Sequence, residues 1–198
     1  REAAGFLDNK PFLLVDSSAV IDFDLLNLID FHAEMGSSLT IGTKGETSSG
    51  IDLLGNGRLM HIRPGDIGFR GCGIYVIDPV IINFTSGSGY LDIEDQLLPS
   101  LLNKEIPVYL YKIPGYFRGF ELLDDFISVN MDLLEGKVNG IYSPKGRRRE
   151  IMDRVWVGNN VDISPGVELT GPVIIGDNVK INRDCRIVGP TVIGRDCQ

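Results

Sequence analysis

The sequence predicts an α/β domain followed by a left-handed parallel β-helix. Strands and helices alternate over residues 1–137, which is typical of an α/β domain. From Ile151 onwards a large apolar residue returns at every sixth position, and a smaller residue follows each one four positions later. A short repeat of fixed period indicates a solenoid.

The elements of the first domain, predicted over residues 1–137, can be assigned in order. Phe12–Val15 is a continuous apolar strand of the kind that is buried in a parallel sheet. Asp22 or Asp24 caps a helix over residues 24–35. Asn56-Gly57 predicts a hairpin between strands at 50–54 and 58–62. The other predicted elements are strands at 38–42, 73–77 and 108–112, and helices at 93–102 and 120–134.

Two smaller features of this region have simple interpretations. Tyr111, Tyr116 and Phe117 form an aromatic cluster that we expect to be core against the final helix. The basic run Lys145–Arg149 lies in a predicted linker over residues 138–150. We interpret it as a solvated linker, and a contact with phosphate or a partner is the alternative.

The predicted β-helix covers residues 151–198. Large apolar side chains should point into a triangular prism, with the smaller residues near its corners. Gly158, Gly176 and Gly194 begin hexads three apart and should stack at one corner, where turns can need positive φ. We expect the β-helix to start close to Ile151 and to continue beyond residue 198, since an open end exposes strand edges. The large residues are Ile151, Val157, Ile163, Leu169, Ile175, Ile181, Ile187 and Ile193, and the smaller ones are Val155, Val161, Val167, Val173, Val179, Cys185, Thr191 and Cys197.

Composition argues against several classes of function. Lys and Arg number 19 against 27 Asp and Glu, and the resulting net charge of −8 argues against a nucleic-acid-binding protein. No apolar run approaches the roughly 20 residues of a membrane span. The three cysteines, Cys72, Cys185 and Cys197, form no CxxC pair, so we expect reduced core residues in a cytoplasmic protein. The sequence starts without Met or a signal peptide, so we expect the N-terminal part to be missing.

Acyltransferase chemistry is one alternative, because many proteins with hexapeptide repeats are acyltransferases. Those enzymes use a histidine as the general base. The two histidines of this chain, His32 and His61, both lie outside the repeats. This position disfavours acyltransferase chemistry.

Five segments together carry a resemblance to one known family. Phe12–Ser18 is similar to a strand that ends in Asn-Gly-Asp, and Gly71–Tyr75 to an Asn-x-Gly-Ile-Tyr strand. Asp92–Pro99 is similar to a Ser-Ile-Glu…Pro helix, Gly115–Gly119 to Gly-Tyr-Trp-x-Asp, and Asn130–Gly136 to the Asn…Leu-Leu-Glu-Gly that precedes hexapeptide repeats. In this order they resemble the second half of the sugar-1-phosphate nucleotidyltransferase family, particularly its mannose-1-phosphate guanylyltransferase branch.

The resemblance implies a partial Rossmann-like nucleotidyltransferase domain. Such enzymes convert an NTP and a sugar 1-phosphate to an NDP-sugar and pyrophosphate, using Mg²⁺ held by two aspartates and a basic Gly-rich loop near the N-terminus. This sequence contains no such loop, and we interpret Gly42-Thr43-Lys44-Gly45 as a surface turn. The expected small-molecule partner is a sugar phosphate or a nucleotide sugar.

The positions that match the family's functional residues depart from its pattern. Ser18 and Gly119 match the two metal-binding aspartates, and neither supplies the anionic oxygen that a hard cation prefers. Asp16 would face the same side of a strand as Ser18, so it is either a substitute metal ligand or a solvated carboxylate. Arg63 and Glu94 match positions near the sugar, and they are the expected substrate-binding residues. Glu94 also has a structural role as a carboxylate at a helix start.

The expected function is therefore that of a sugar-1-phosphate nucleotidyltransferase-like protein that is inactive as this chain. We expect no catalytic residue and no bound Mg²⁺. The alternative is a non-catalytic regulatory or scaffolding paralogue. An incomplete domain exposes apolar strands such as Phe12–Val15, so we expect a homo-oligomer, at least a dimer, or a separate N-terminal segment that covers them.

Overall fold

The computed structural model describes residues 8–44, 51–62, 71–84, 92–120, 122–138 and 149–198. The chain divides into two compact units, Arg1–Gly119 and Phe120–Gln198. Together they form a mixed α/β structure with several small sheets. Within the described residues, every helix is too short or too polar to cross a membrane.

A four-stranded sheet lies at the centre of the first unit. The elements of the first unit, in chain order, are β1 (Phe12–Val15), β2 (Ala19–Asp22), α1 (Leu25–Glu34), β3 (Leu39–Thr43), β4 (Ile51–Leu53), β5 (Leu59–Ile62), β6 (Ile74–Ile77), a 3₁₀ helix (Pro79–Phe84), a π-helical turn (Ile93–Leu97), α2 (Leu98–Asn103), β7 (Val108–Lys112) and β8 (Tyr116–Gly119). The sheet has the order β1-β6-β3-β7. β1, β3 and β7 share one direction, and β6 runs against them. Two antiparallel pairs, β2 with β8 and β4 with β5, complete the unit.

Most of the predicted elements of this unit are confirmed with small shifts. The hairpin turns at Asn56-Gly57, where Gly57 has a φ of 85°. The predicted helix at 93–102 is the π-helical turn and α2 in succession. The pair of β2 and β8 was not predicted, because each strand is short and its residues alternate weakly.

The prediction for Phe12–Val15 is wrong in two respects. β1 pairs antiparallel with β6, and within the described residues it is an edge strand of a mixed sheet. Its last two side chains, Leu14 and Val15, are 38% and 40% exposed. A continuous apolar run therefore does not distinguish a strand covered on both faces from an edge strand whose end is partly exposed.

Helix α1 packs on the sheet through buried Leu28 and His32. Asp24 is the N-cap, and its Oδ1 accepts a hydrogen bond from the Leu26 N–H at 2.9 Å. The Nδ1 of His32 lies 2.9 Å from the Thr40 hydroxyl. Burial lowers the pKa of His32, and the charge of Asp78 acts in the opposite direction. His32 is thus a core histidine with a hydrogen-bond partner.

Two members of the predicted aromatic cluster, Tyr111 and Phe117, pack in the core beside helix α1. The ring of Tyr111 lies 5.2 Å from that of Phe31 in α1. Tyr111 and Phe117 both pack against the buried group around Leu28 and Ile74. Strand β7 follows β3 in the sheet and α1 lies over both, so the first helix meets these rings.

Short strands that stack at a regular interval of three hexads form most of the second unit. Its elements are α3 (Leu123–Leu134), β9 (Arg149–Met152), β10 (Val155–Val157), β11 (Asp162–Ile163), β12 (Glu168–Thr170), β13 (Val173–Ile175), β14 (Lys180–Ile181), β15 (Arg186–Val188) and β16 (Thr191–Ile193). β10, β13 and β16 form one parallel ladder, β11 and β14 a second, and β12 and β15 a third. We call each stretch of three hexads that returns the chain to the same ladder a rung.

The rungs enclose an aliphatic core. Six side chains in it are buried, and the large apolar side chains of the other hexads pack against them. The predicted inward positions Ile163, Ile175 and Ile187 all belong to this core. The first hexad differs, because Ile151 lies in β9, which pairs antiparallel with β10. The buried members are Val155, Val157, Val173, Ile175, Val179 and Ile181.

The glycines at the rung corners have a different role from the one predicted. The positive φ values belong to Asn160, Asn178 and Asp196, at 53°, 57° and 60°. At Gly176 an added Cβ would lie 2.6 Å from the backbone nitrogen of Arg195. Glycine is needed there because the backbones of successive rungs approach closely. The Asn178 side chain links the rungs, since its Oδ1 accepts from the Asn160 amide at 3.1 Å and its amide donates to Asp196 at 2.9 Å.

The prediction that all three cysteines are core residues is correct for one of them. Cys72 is buried, whereas Cys185 and Cys197 are exposed. Both exposed cysteines follow β14 in the C-terminal rung, where side chains have a described rung on one side only. Register alone therefore does not bury a side chain here, since Cys185 and Cys197 are exposed while Val179 and Ile181 are buried.

Helix α3 packs on the outer face of the ladder formed by β10 and β13. Leu134 of the helix joins Trp156 and Ile174 in a buried cluster, and Met131 packs against it. The Arg154 guanidinium also donates to the Leu134 carbonyl at 3.4 Å. The predicted boundaries assigned this helix to the first domain. Here its C-terminal end packs on the rungs.

We predict that Ile175→Asp unfolds the rungs. Ile175 is fully buried in the aliphatic core, so the carboxylate would be an uncompensated buried charge costing about 3–5 kcal/mol. Thermal melting followed by circular dichroism measures the loss. Val192→Asp is the matched control, because Val192 is 54% exposed and a surface change usually costs about 0.5 kcal/mol or less. Equal melting temperatures for the two variants would contradict the inward assignment of Ile175.

Candidate functional site

The candidate site lies at one edge of the central sheet. β1, β3 and β7 end at this edge, and the antiparallel β6 begins there. The segments that meet are therefore Asp16–Ser18, Thr43–Lys44, 113–115 and Gly71–Gly73. In open α/β sheets, ligands commonly bind outside the carboxyl ends of the parallel strands.

Asp16 lies at the end of β1 in a closed turn. Its Oδ1 accepts two hydrogen bonds from Ser18, from the backbone N–H at 2.8 Å and from the hydroxyl at 2.7 Å. The N–H of Asp16 donates to the Gly73 carbonyl at 2.7 Å. The Ser18 N–H and then its hydroxyl lower the pKa of Asp16. This carboxylate is therefore ionised and is oriented by Ser18.

Two glycines before β6 are required by their surroundings. Gly73 has a φ of 63°, and an added Cβ would lie 2.7 Å from the Cβ of Asp16. At Gly71 an added Cβ would lie 2.5 Å from the Glu94 Oε1 and 2.8 Å from Ile41. A side chain at either glycine would fill the space that Glu94 or Asp16 occupies. With glycine at both positions, the backbone that leads into β6 can lie directly against these two residues.

Glu94 is held beside Gly71. Its Oε1 accepts from the Gly71 N–H at 2.9 Å and from the Tyr75 hydroxyl at 2.8 Å. Asp92 caps the turn that carries Glu94, because its Oδ1 accepts from the N–H groups of Glu94 and Asp95, both at 2.8 Å. Two protein donors and a capped turn thus fix the carboxylate.

Burial raises the pKa of Tyr75 well above its ordinary value, and the hydrogen bond to Glu94 raises it further. The charges of Glu94, Asp92 and Asp16 act in the same direction. Tyr75 is therefore a protonated donor at any ordinary pH. This excludes the phenol as a proton acceptor in the site.

Lys44 is a cation of the site that the sequence interpretation placed in a surface turn. Gly42 and Thr43 are buried residues of β3, and Lys44 donates from Nζ to the Gly115 carbonyl. Burial raises the pKa of the Cys72 thiol to about 11, and the charge of Lys44 opposes this while that of Glu94 adds to it. Cys72 is thus an unreactive thiol between groups of opposite charge.

The structure brings together the two positions that match the family's metal ligands. Ala19 of β2 pairs with Gly119 of β8, and a Cβ at Gly119 would lie 3.7 Å from the Ser18 carbonyl oxygen. A hydroxyl and a hydrogen atom are not the carboxylate donors that Mg²⁺ prefers. The nearby Asp16 already accepts two hydrogen bonds on Oδ1, and the described residues contain no group of three or more potential metal ligands. These residues do not fit a magnesium site.

The predicted site residues have different outcomes. Glu94 lies beside Gly71 and Asp16 lies beside Gly73, whereas Arg63 lies outside the described residues. Tyr75 and Lys44 were not among the predicted site residues. The alternation of Gly71, Gly73 and Tyr75 could have indicated Tyr75, since residues two apart on a strand share a face.

No protein-family model matches the chain. It is similar to a UTP–glucose-1-phosphate uridylyltransferase of Synechocystis sp., with 24% identity over 200 residues, which cover 87% of this chain and 51% of that protein. A mannose-1-phosphate guanyltransferase of Pichia angusta is 26% identical over 131 residues, or 61% of this chain and 35% of that protein. A glucose-1-phosphate adenylyltransferase of Mycoplasma mobile is 20% identical over 143 residues, or 64% and 38%.

These relatives share the transfer of a nucleotide to a sugar 1-phosphate in their names. Their names differ in both the nucleotide and the sugar. The similarity therefore supports the sugar-1-phosphate nucleotidyltransferase family as a distant relationship. The chain spans about half, or less, of the length of these curated relatives.

We predict that Gly73→Ala destabilises the first unit by more than the cost of placing an alanine at this positive φ. An L-residue in this conformation costs roughly 1–2 kcal/mol, and the contact with Asp16 should add about 1–3 kcal/mol. Chemical denaturation measures the free energy of unfolding. Gly136→Ala is the matched control, because Gly136 has a φ of 76° and an added Cβ there would meet nothing within 4 Å. A loss at position 73 no larger than at position 136 would refute the close approach.

We further predict that the chain shows no saturable binding of Mg²⁺ or Mn²⁺ by isothermal titration. Ser18→Asp combined with Gly119→Asp should create Mn²⁺ binding, because it places two carboxylates at adjacent positions. Gly119→Asp alone should create much weaker binding. Metal binding by the unaltered chain that Asp16→Ala abolishes would instead identify Asp16 as a ligand.

Proposed function

We propose that this chain is the sugar-binding part of a sugar-1-phosphate nucleotidyltransferase-like protein and that it binds a sugar phosphate or nucleotide sugar at the edge of the central sheet. The observation that carries the proposal is the pair of oriented carboxylates, with Asp16 beside Gly73 and Glu94 beside Gly71. The distant similarity to curated nucleotidyltransferases supports the class of ligand.

The groups at this edge suit the two parts of such a ligand. Glu94 and Asp16 are carboxylate acceptors for sugar hydroxyl groups, and hydrogen bonds to charged acceptors are the stronger ones. Lys44 supplies a positive charge for the phosphate, and Arg63 is expected to supply a second one.

We also propose that this chain does not catalyse nucleotidyl transfer. In that reaction a phosphate oxygen attacks the α-phosphorus of an NTP, and the accumulating negative charge must be neutralised. Ser18 and Gly119 supply no carboxylate for a metal ion that would do this. The same observation favours the second candidate, a regulatory or scaffolding paralogue that keeps ligand binding without turnover.

The stacked rungs are, in our proposal, a left-handed parallel β-helix of hexapeptide repeats. Support comes from the parallel ladders at an interval of three hexads and from the aliphatic core inside them.

We propose that the protein is a homo-oligomer, since solenoid faces offer extended contact surfaces. Three free cysteines fit a cytoplasmic location, where thiols stay reduced. Light scattering tests the oligomeric state.

The test is titration calorimetry of the full chain with glucose 1-phosphate, mannose 1-phosphate, UDP-glucose, GDP-mannose and ADP-glucose. We expect at least one of them to bind. Glu94→Gln should weaken that binding about tenfold, or 1.4 kcal/mol, since the amide oxygen can still accept from Gly71 and Tyr75 while the other oxygen becomes an NH2 group that cannot accept from the ligand.

Glu168→Gln is the matched control, because Glu168 is an exposed glutamate of the rungs that pairs with Arg186 at 3.5 Å. It should leave affinity unchanged. The proposal fails if none of the five compounds binds, or if Glu94→Gln and Glu168→Gln have the same effect. Release of pyrophosphate from an NTP and a sugar 1-phosphate would contradict the absence of catalysis.

A further inference from the structure

We infer that Tyr75 is a positioning residue for ligand recognition and that it acts through Glu94. Its hydroxyl, together with the Gly71 N–H, orients the Glu94 carboxylate so that the second oxygen, Oε2, is offered to a hydroxyl of the ligand. This inference rests on the proposed function.

The ring of Tyr75 is anchored in the core. Tyr75 is 8% exposed and belongs to the buried cluster that contains Leu39, Ile41 and Val108. Its strand, β6, lies between β1 and β3, so strand pairing on both sides fixes its backbone. A phenol held in this way can place its hydroxyl with little rotational freedom.

The two donors share one oxygen of Glu94. The Tyr75 hydroxyl lies 2.8 Å from Oε1, and the Gly71 nitrogen lies 2.9 Å from the same atom. Two donors on one oxygen define the rotation of the carboxylate plane about its last bond. The other oxygen is thereby set in a constant direction, and an acceptor that is already oriented loses less entropy on binding.

The electrostatic surroundings keep Tyr75 in the donor state. Burial and the carboxylates of Glu94, Asp92 and Asp16 all raise the pKa of its phenol. The opposing cation, Lys44, acts on the nearby Cys72. Tyr75 therefore donates to Glu94 throughout the ordinary pH range and takes no part in proton transfer.

Removal of the Tyr75 hydroxyl should disorder the Glu94 carboxylate without leaving a cavity in the core. Tyr75→Phe keeps the ring and leaves Glu94 with the Gly71 donor alone. We expect the affinity for the sugar phosphate or nucleotide sugar that binds most tightly in the titration to fall about tenfold. In the E94Q background the same change should cost less than twofold, since the oxygen that Tyr75 orients toward the ligand is already replaced by an NH2 group.

The amide resonance of Gly71 is an independent readout. It should shift in Tyr75→Phe, because the partner of that amide reorients, and in the unaltered chain it should shift on ligand saturation. Tyr109→Phe is the matched control: Tyr109 is a second buried strand tyrosine, in β7, whose ring contacts Phe31. It should change neither the affinity nor the Gly71 resonance.

The experiment separates the ways in which the inference can fail. If the unaltered chain binds none of the compounds, the proposed function fails and this inference fails with it. If the chain binds but Tyr75→Phe binds equally well, or loses the same factor with and without E94Q, only this inference fails. If Tyr75→Phe does not fold, the Gly71 resonance of the unaltered chain decides, and its constancy on saturation with the ligand would overturn the inference.

Discussion

The first unit depends on the reversed direction of one strand. β6 runs antiparallel between β1 and β3, so it begins where β1, β3 and β7 end. If β6 ran parallel to its neighbours, its start would lie at the opposite edge of the sheet. The short segment Gly71–Gly73 would then be far from Asp16 and Glu94. The contacts that Gly71, Gly73 and Tyr75 make with Glu94 and Asp16 follow from this single reversal.

The reversal also explains why small residues are needed at the edge. The backbone entering β6 passes close to both Glu94 and Asp16, and a side chain at Gly71 or Gly73 would occupy the space of one of them. A close approach of backbone to side chain recurs in a different form in the rungs, where Gly176 faces the backbone of the next rung. In both units glycine is required because a neighbouring segment of the protein approaches too closely for a Cβ. Positive φ is an additional requirement at Gly73 alone among these three.

The chemistry of the site combines the fixed negative charges of Asp16 and Glu94 with the positive charge of Lys44. Asp16 and Glu94 are each oriented by protein donors, Ser18 for one and Gly71 with Tyr75 for the other. Such carboxylates are suited to accept hydrogen bonds from hydroxyl groups. The two positions that match the family's metal ligands, Ser18 and Gly119, carry no carboxylate. Ligand binding without nucleotidyl transfer is consistent with this arrangement.

The sequence by itself determined the period of the rungs and most elements of the first unit, because periodicity and turn signals are local properties. It did not determine the direction of β6 or the edge position of Phe12–Val15, since an apolar run fits a buried strand and an edge strand equally well. The conformation of the rung corners and the exposure of Cys185 and Cys197 depend on what the adjacent rung places beside each residue. Only the tertiary structure brought Tyr75 and Gly71 to Glu94, which is distant from both in the sequence. A hydrogen bond of this kind is decided by strand pairing, which no single segment specifies.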